Sequence, residues 1–279
     1  MELRWVDCGG RRAPVLVDGS PAAPPAVLVP GLSDGLAPVD LPATQALMRD
    51  APLPMRRFRG LVVSYPDPDG AAPPTTAELA EQVATILDVT TEGPAWLFAH
   101  SMGAMVAQHL AAQRPDLVAG MVLSASCARA DGRLRDVLGR WCDAVTARDW
   151  PRFARAAVDA SYTGVERSRR RLLLRLSPPP AHPDARVARH VALTAAATSH
   201  DARDRLAGID CPTLVLAAEH DPVCPPDLGR ELAVGIRGAD FEVFTGLAHG
   251  FPEQARTRFA RRVLAFVDAH HPTPGRAST

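Results

Sequence analysis

The stretch Trp96-Leu97-Phe98-Ala99-His100-Ser101-Met102-Gly103-Ala104 decides how this chain is read. Apolar residues lead in, a serine sits at the turn, and from Met102 to Gln113 apolar residues recur at helical spacing. The pattern predicts a strand, a sharp turn and a helix. A serine at such a turn is held in a strained backbone conformation that pushes its hydroxyl clear of the sheet. The positions two before and two after it must be small, because a side chain there would strike neighbouring backbone. Here they are Ala99 and Gly103.

Working outward, Ala26-Val27-Leu28-Val29 is a continuous apolar run, as expected of a strand buried on both faces. Leu61-Val62-Val63-Ser64-Tyr65, residues 119–124, Thr213-Leu214-Val215-Leu216-Ala217 and residues 241–244 read as further strands. Residues 3–7 and 15–18, separated by Gly9-Gly10-Arg11-Arg12, suggest an antiparallel hairpin. Thr75-Thr76-x-Glu78 opens a helix with Leu79, Val83 and Leu87 on one face. Helices are also expected over 226–236 and 252–269, with a short one at 43–49 and a flexible loop over 30–35. Strands alternating with helices imply an α/β fold with a mostly parallel sheet covered on both faces. Residues 127–205 break the alternation. They read as a cap of about four helices inserted over the sheet's C-terminal edge, between core segments 1–126 and 206–270. Residues 271–279 read as a flexible tail.

Composition excludes some chemistry. The 279 residues contain no lysine, which removes Schiff-base catalysis and the phosphate-binding P-loop. A formal net charge of zero gives no reason to expect nucleic acid or an anionic membrane as partner. The five cysteines are scattered without a CxxC pair, and the first residues show no basic-then-apolar leader, so a cytoplasmic protein is expected. The inserted stretch holds 16 arginines against 9 acidic residues, a net of +7 that the remainder balances. A basic lid of this kind could steer an anionic acyl group. Within it, Glu166-Arg167-Ser168-Arg169-Arg170-Arg171 with Leu172, Leu173, Leu174 and Leu176 reads as an amphipathic helix with a solvated basic face.

A serine hydroxyl needs a base within hydrogen-bond reach, and an imidazole suits this near neutral pH. A buried carboxylate must then fix the imidazole tautomer. After three different strands the chain offers Ser101, Asp221 and His249. Asp131, after the preceding strand, is a rival acid. His100 is expected to point into the sheet packing, and His220 to be a loop residue. The other histidines lack metal-ligand spacing, so no metal or other cofactor is expected.

Three segments carry a family resemblance. Ala99-His100-Ser101-Met102-Gly103 resembles the G-x-S-x-G nucleophile elbow of the α/β-hydrolase family, with alanine for the first glycine. Thr213-Leu214-Val215-Leu216-Ala217-Ala218-Glu219-His220-Asp221 is similar to the family's acid-bearing strand and turn, and Gly246-Leu247-Ala248-His249-Gly250-Phe251 to its histidine loop. The order Ser, Asp, His is the family's. The resemblance implies an oxyanion hole from the backbone N–H groups of Met102 and Leu32, with Ser33 as a weaker rival because Pro30 replaces the family's histidine. Of the aromatic residues in the insertion, Trp141, Trp150, Phe153 and Tyr162, most are expected to pack the helices together and one or two, Trp141 and Trp150, to line a substrate pocket beside Gly31, Leu32 and Met102. The implied activity is hydrolysis of a small-molecule carboxylic ester, thioester or lactone, without a cofactor. Enol-lactonases, carbon–carbon bond hydrolases, cofactor-free haloperoxidases and hydrolase-fold ligand sensors share these features.

Overall fold

The computed structural model describes residues 1–40, 42, 57–68, 70 and 72–270. The helix expected at 43–49 and the tail at 271–279 lie outside the described residues. Eight described strands form one sheet: β1 (Glu2–Asp7), β2 (Arg12–Asp18), β3 (Pro25–Val29), β4 (Arg59–Val63), β5 (Ala95–His100), β6 (Val118–Ser124), β7 (Thr213–Ala218) and β8 (Asp240–Phe244). Their spatial order is β1-β2-β4-β3-β5-β6-β7-β8. β1 and β2 pair antiparallel, β2 meets β4 antiparallel, and the rest are parallel.

Alternation along the strands sends successive residues to two separate cores. Val27, Leu97, Leu123 and Val215 face one of them, together with Leu79, Val83 and Leu87 of helix α1 (Thr76–Thr90). Helices α2 (Met102–Gln113) and α8 (Pro226–Gly235) pack on that side through residues such as Val106, Leu110, Leu228 and Leu232. Trp96, Phe98, Val122, Leu214 and Leu216 face the other core, where Phe259, Val263 and Phe266 of α10 (Arg256–His270) cover them. Each fully buried aliphatic or aromatic side chain is worth about 1.5–3 kcal/mol, so two filled faces are the main support of the sheet. α1 begins with a complete capping box, since Thr75 Oγ1 accepts from Glu78 N–H while the Glu78 carboxylate accepts from Thr75 N–H.

Between β6 and β7 come α3 (Gly132–Thr146), α4 (Trp150–Ser161), α5 (Gly164–Leu176), α6 (Asp184–Thr198) and the single turn α7 (Arg203–Leu206). After β8 a short α9 (Phe251–Gln254) precedes α10. The single closing helix expected there is therefore broken. Ala255 leaves the helical region (φ −111, ψ 40), because the first turn is held by the inserted helices through hydrogen bonds between Gln254 and Thr163.

α5 also departs from expectation. It buries no residue, and Leu172, Leu173 and Leu176 are exposed while the arginines make the attachments. Arg171 pairs with Asp159, and Arg170 pairs with Glu253 and lies over the Tyr162 ring, its guanidinium carbon 3.9 Å from the centroid. The helix docks by its polar side, which turns the leucines outward.

Two buried histidines fasten the last long inserted helix. His190 of α6 packs against Gly35, and neither ring nitrogen has a hydrogen-bond partner among the described residues. His200, just beyond α6, meets Thr76 Oγ1 through Nδ1 at 2.9 Å. Burial, reinforced by the neighbouring histidines His182 and His109, lowers their pKa values to about 4 and about 3. Both rings stay neutral when folded but take up protons below pH 6.5 when unfolded, so their contribution to stability is complete above pH 6.5 and is lost as the pH falls. The free energy of unfolding should drop between pH 6.5 and about 4 by up to about 1.4 kcal/mol per pH unit for each histidine. Chemical denaturation across that range should show a shallower slope for His200→Gln; an unchanged slope would refute this account.

Candidate active site

β5 delivers Ser101 to the C-terminal edge of the sheet, and α2 starts immediately after it. Ser101 has φ 56 and ψ −125, a backbone conformation that a residue with a side chain adopts only when its surroundings impose it. The imposing contacts are explicit. Ser101 N–H donates to Ser124 O at 2.8 Å, and α2 approaches β3 so closely that a Cβ on Gly103 would lie 2.2 Å from Val29 O. Gly31 is also confined, since a Cβ there would sit 3.0 Å from His100 O and 3.5 Å from Ser101 Cβ.

Asp221 follows β7 in a tight turn. Its Oδ1 accepts from the N–H groups of Val223 (2.8 Å) and Cys224 (2.9 Å), which fixes the carboxylate and leaves Oδ2 for His249 Nδ1 at 2.7 Å. The side chain of Asp221 has no solvent exposure. A carboxylate can only accept, so Nδ1 carries the ring hydrogen and Nε2 presents a lone pair. That Nε2 lies 3.0 Å from Ser101 Oγ. The structure thus brings together hydroxyl, imidazole and carboxylate from three loops. Asp131 is elsewhere employed: it caps α3, accepting from Leu134 N–H at 3.0 Å, and pairs with Arg133. His220 is exposed on its loop.

The loop after β3 tightens into a 3-10 turn, Leu32–Gly35. Neither Leu32 N–H nor Met102 N–H donates to any acceptor among the described residues, and both residues flank Gly31 and Ser101. Pro30, the departure from the family pattern, still anchors this loop, because its carbonyl accepts from Tyr65 Oη at 2.9 Å. The same turn is held by Asp34, whose buried carboxylate accepts from Ser64 Oγ, from Tyr65 N–H at 3.1 Å and from Arg189 of α6. Arg189 also donates to Asp34 O at 3.1 Å and to Asp67 Oδ1 at 2.8 Å, and its side chain is 2 % exposed.

A cavity of about 690 Å³ opens above Ser101. Its walls are mainly apolar, among them Leu28, Leu32, Leu36, Phe98, Trp141 and Phe153, with Gly31, His249 and Glu253 also at its surface. Trp141 therefore lines it, edge-on to Phe153. Trp150 does not; it packs with Leu36, Val145 and Val187 and against His182, filling the space between inserted helices. His100 also departs from its expected place in the sheet packing, for its ring stands on the cavity wall with its centroid 5.0 Å from that of His249.

The inserted helices are bonded to the histidine loop. His249 N–H donates to Ala160 O (3.1 Å), Gly250 N–H to Ser161 O (2.8 Å) and Thr163 Oγ1 to Gly246 O (2.8 Å). Several of their arginines form ion pairs with acids outside the insertion. Arg186 meets Asp40, Arg189 meets Asp34 and Asp67, Arg133 meets Asp227, and Arg170 meets Glu253. Part of the charge asymmetry seen in the sequence thus joins the two layers.

A family model described as serine aminopeptidase, S33, matches residues 75–253, well over half of the chain. The chain belongs to this α/β-hydrolase family. Lipase LipV of Mycobacterium tuberculosis is 44% identical over 69 residues, a match spanning only 24% of this chain and 26% of the lipase. RutD of Azorhizobium caulinodans, a proposed carbamate hydrolase, is 29% identical over 215 residues, covering 70% of this chain and 74% of that protein. Among solved structures, the α/β hydrolase MGS-M2 from a Medee basin deep-sea metagenome library superposes with a TM-score of 0.78 at 18% identity, covering 94% of this chain and 96% of that one. The mostly parallel sheet, with helices on both faces, is the α/β-hydrolase fold.

Breaking a buried ion pair by removing one partner costs about 3–5 kcal/mol. Arg189→Met should lower the free energy of unfolding by about that much. It should also reduce turnover of any ester substrate through displacement of the Leu32 turn. Calorimetry and ester assays on the same preparation test both, and a variant as stable as the parent would refute the assigned role.

Proposed function

We propose that this α/β hydrolase cleaves a small-molecule carboxylic ester, thioester or lactone through an acyl-enzyme on Ser101, with His249 as base and Asp221 as its orienting acid. The observation that carries the reading is the unbroken hydrogen-bond chain from Asp221 through His249 to Ser101, ending in an apolar cavity of about 690 Å³. A cavity of this size suits a small organic substrate.

In the proposed cycle Ser101 Oγ attacks the carbonyl carbon as its proton passes to His249 Nε2, and Asp221 stabilises the imidazolium. The N–H groups of Met102 and Leu32 receive the developing oxyanion, each such donor being worth about 3–4 kcal/mol of barrier. His249 returns the proton to the leaving alkoxide or thiolate. Water then repeats the sequence on the acyl-enzyme, releasing the acid. We take 127–205 as a cap whose Trp141 and Phe153 form part of the acyl pocket.

An ester is favoured over a peptide because the family's peptidase description requires a group to hold a free amine. The acidic residue on the cavity wall, Glu253, is already engaged by Tyr162 and Arg170. The cysteines are free thiols, and no helix among the described residues is long and apolar enough to cross a membrane. Free thiols fit a reducing compartment, and we place the protein in the cytoplasm.

The test is labelling by a fluorophosphonate probe, followed by a panel of p-nitrophenyl esters, lactones, acyl thioesters and aminoacyl anilides. Labelling should occur on Ser101, and kcat should fall by about 10⁴-fold or more in Ser101→Ala, His249→Ala and Asp221→Asn. Ligand-induced thermal stabilisation without turnover would instead indicate a sensor and overturn the reading. Preference for the anilides would replace the ester by an amide.

A further inference from the structure

His100 occupies an unusual position for a histidine outside the catalytic chain. It ends β5, immediately before Ser101, and its ring shares the cavity wall with Ser101, Ser124 and His249. The ring is held by one bond, Nδ1 to Ser124 Oγ at 3.0 Å. Ser124 Oγ also lies 3.2 Å from Ala99 O, a carbonyl that can only accept. A hydroxyl has one hydrogen to give, and Ala99 O takes it. With that hydrogen directed at Ala99 O, the Ser124 oxygen accepts from His100, which assigns the ring hydrogen to Nδ1. A neutral imidazole protonated at Nδ1 has a bare lone pair at Nε2. Among the described residues that Nε2 has no hydrogen-bond partner, and the residue, partly exposed, lines the cavity. Burial, with the nearby His249 ring, holds the pKa at about 3, so the lone pair persists at any working pH.

A fixed acceptor here has restricted uses. It cannot support the oxyanion or the departing alkoxide, because a lone pair repels both. It complements a hydrogen donor only. During acylation by a simple ester, none of the substrate atoms at the scissile bond is a donor. During deacylation one reactant is a donor twice over: the attacking water. One of its hydrogens passes to His249 Nε2, and the other needs an acceptor if the oxygen is to be aimed at the acyl carbon. The His100 ring is next to the His249 ring, with 5.0 Å between centroids.

We propose that His100 is a positioning residue for deacylation, its Nε2 accepting the water hydrogen that His249 does not take. In this step the water oxygen bonds to the acyl carbon and one water proton moves to His249. The bond from that carbon to Ser101 Oγ then breaks, and the proton returns from His249 to Oγ. His100 neither gains nor loses a proton. The inference rests on the acyl-enzyme reading above.

Stopped-flow hydrolysis of p-nitrophenyl butyrate separates the two half-reactions. In His100→Leu, acylation should stay within about threefold of the parent while deacylation slows by about tenfold to a hundredfold. A burst of p-nitrophenol should then appear, together with a butyryl adduct on Ser101 by intact mass spectrometry. His100→Gln, which restores a side-chain acceptor, should recover part of the deacylation rate. Ser124→Ala frees the ring to move its hydrogen to Nε2; it should slow deacylation alone and add nothing in the His100→Leu background. Parallel loss of both half-reactions, or loss of neither, would overturn the proposal, and if His100→Leu does not fold, Ser124→Ala decides by the same criterion. Fluorophosphonate labelling of the parent is the control: labelled Ser101 with unsplit kinetics sinks this inference only, whereas an unlabelled Ser101 sinks the acyl-enzyme reading and this one with it.

Discussion

The structure depends on one backbone conformation that the chain would not adopt by itself. Ser101 is held at positive φ because its N–H is tied to β6 and because α2 must start within van der Waals reach of β3. Such a residue costs on the order of 1–3 kcal/mol, a cost borne by two well-filled hydrophobic faces. The strain determines where the Ser101 hydroxyl stands. It also explains the two glycines beside it, Gly31 and Gly103, whose places admit no further carbon without displacing a carbonyl.

Around that point the machinery is fixed by partners distant in sequence. Asp221 is locked by the N–H groups of its own turn, His249 is locked by Asp221 and by the end of α4, and the Leu32 turn is locked by Arg189. Buried polar groups of this kind are expensive unless fully paired. Around the site they are paired; elsewhere among the described residues a few buried polar atoms lack a partner, His190 in α6 among them.

Much of this is legible in the linear chain, where local chemistry dictates local shape. The capping box at Thr75 and Glu78, the apolar runs of the inner strands and the small residues flanking Ser101 all act within a few residues of one another. The serine, aspartate and histidine can be singled out because each follows a strand. What escapes are contacts set by distance in space. Nothing near Arg189 in sequence indicates that it reaches Asp34, 155 positions away. The leucines of α5 have the spacing of a buried face, yet that helix is fastened by arginines. Trp150 and His100 exchange their expected roles, since which side of a ring meets the cavity depends on neighbours supplied by other elements.

The bonds from Ala160 and Ser161 to the main chain of residues 249 and 250 have a mechanical consequence. A covering that swung aside would pull His249 with it and open its hydrogen bonds to Asp221 and Ser101. The helices above the cavity are thus better regarded as fixed masonry than as a door. A molecule that reached the cavity with those bonds intact would pass beside the end of α4, and the shape of that passage would decide, before any bond is touched, which compounds arrive.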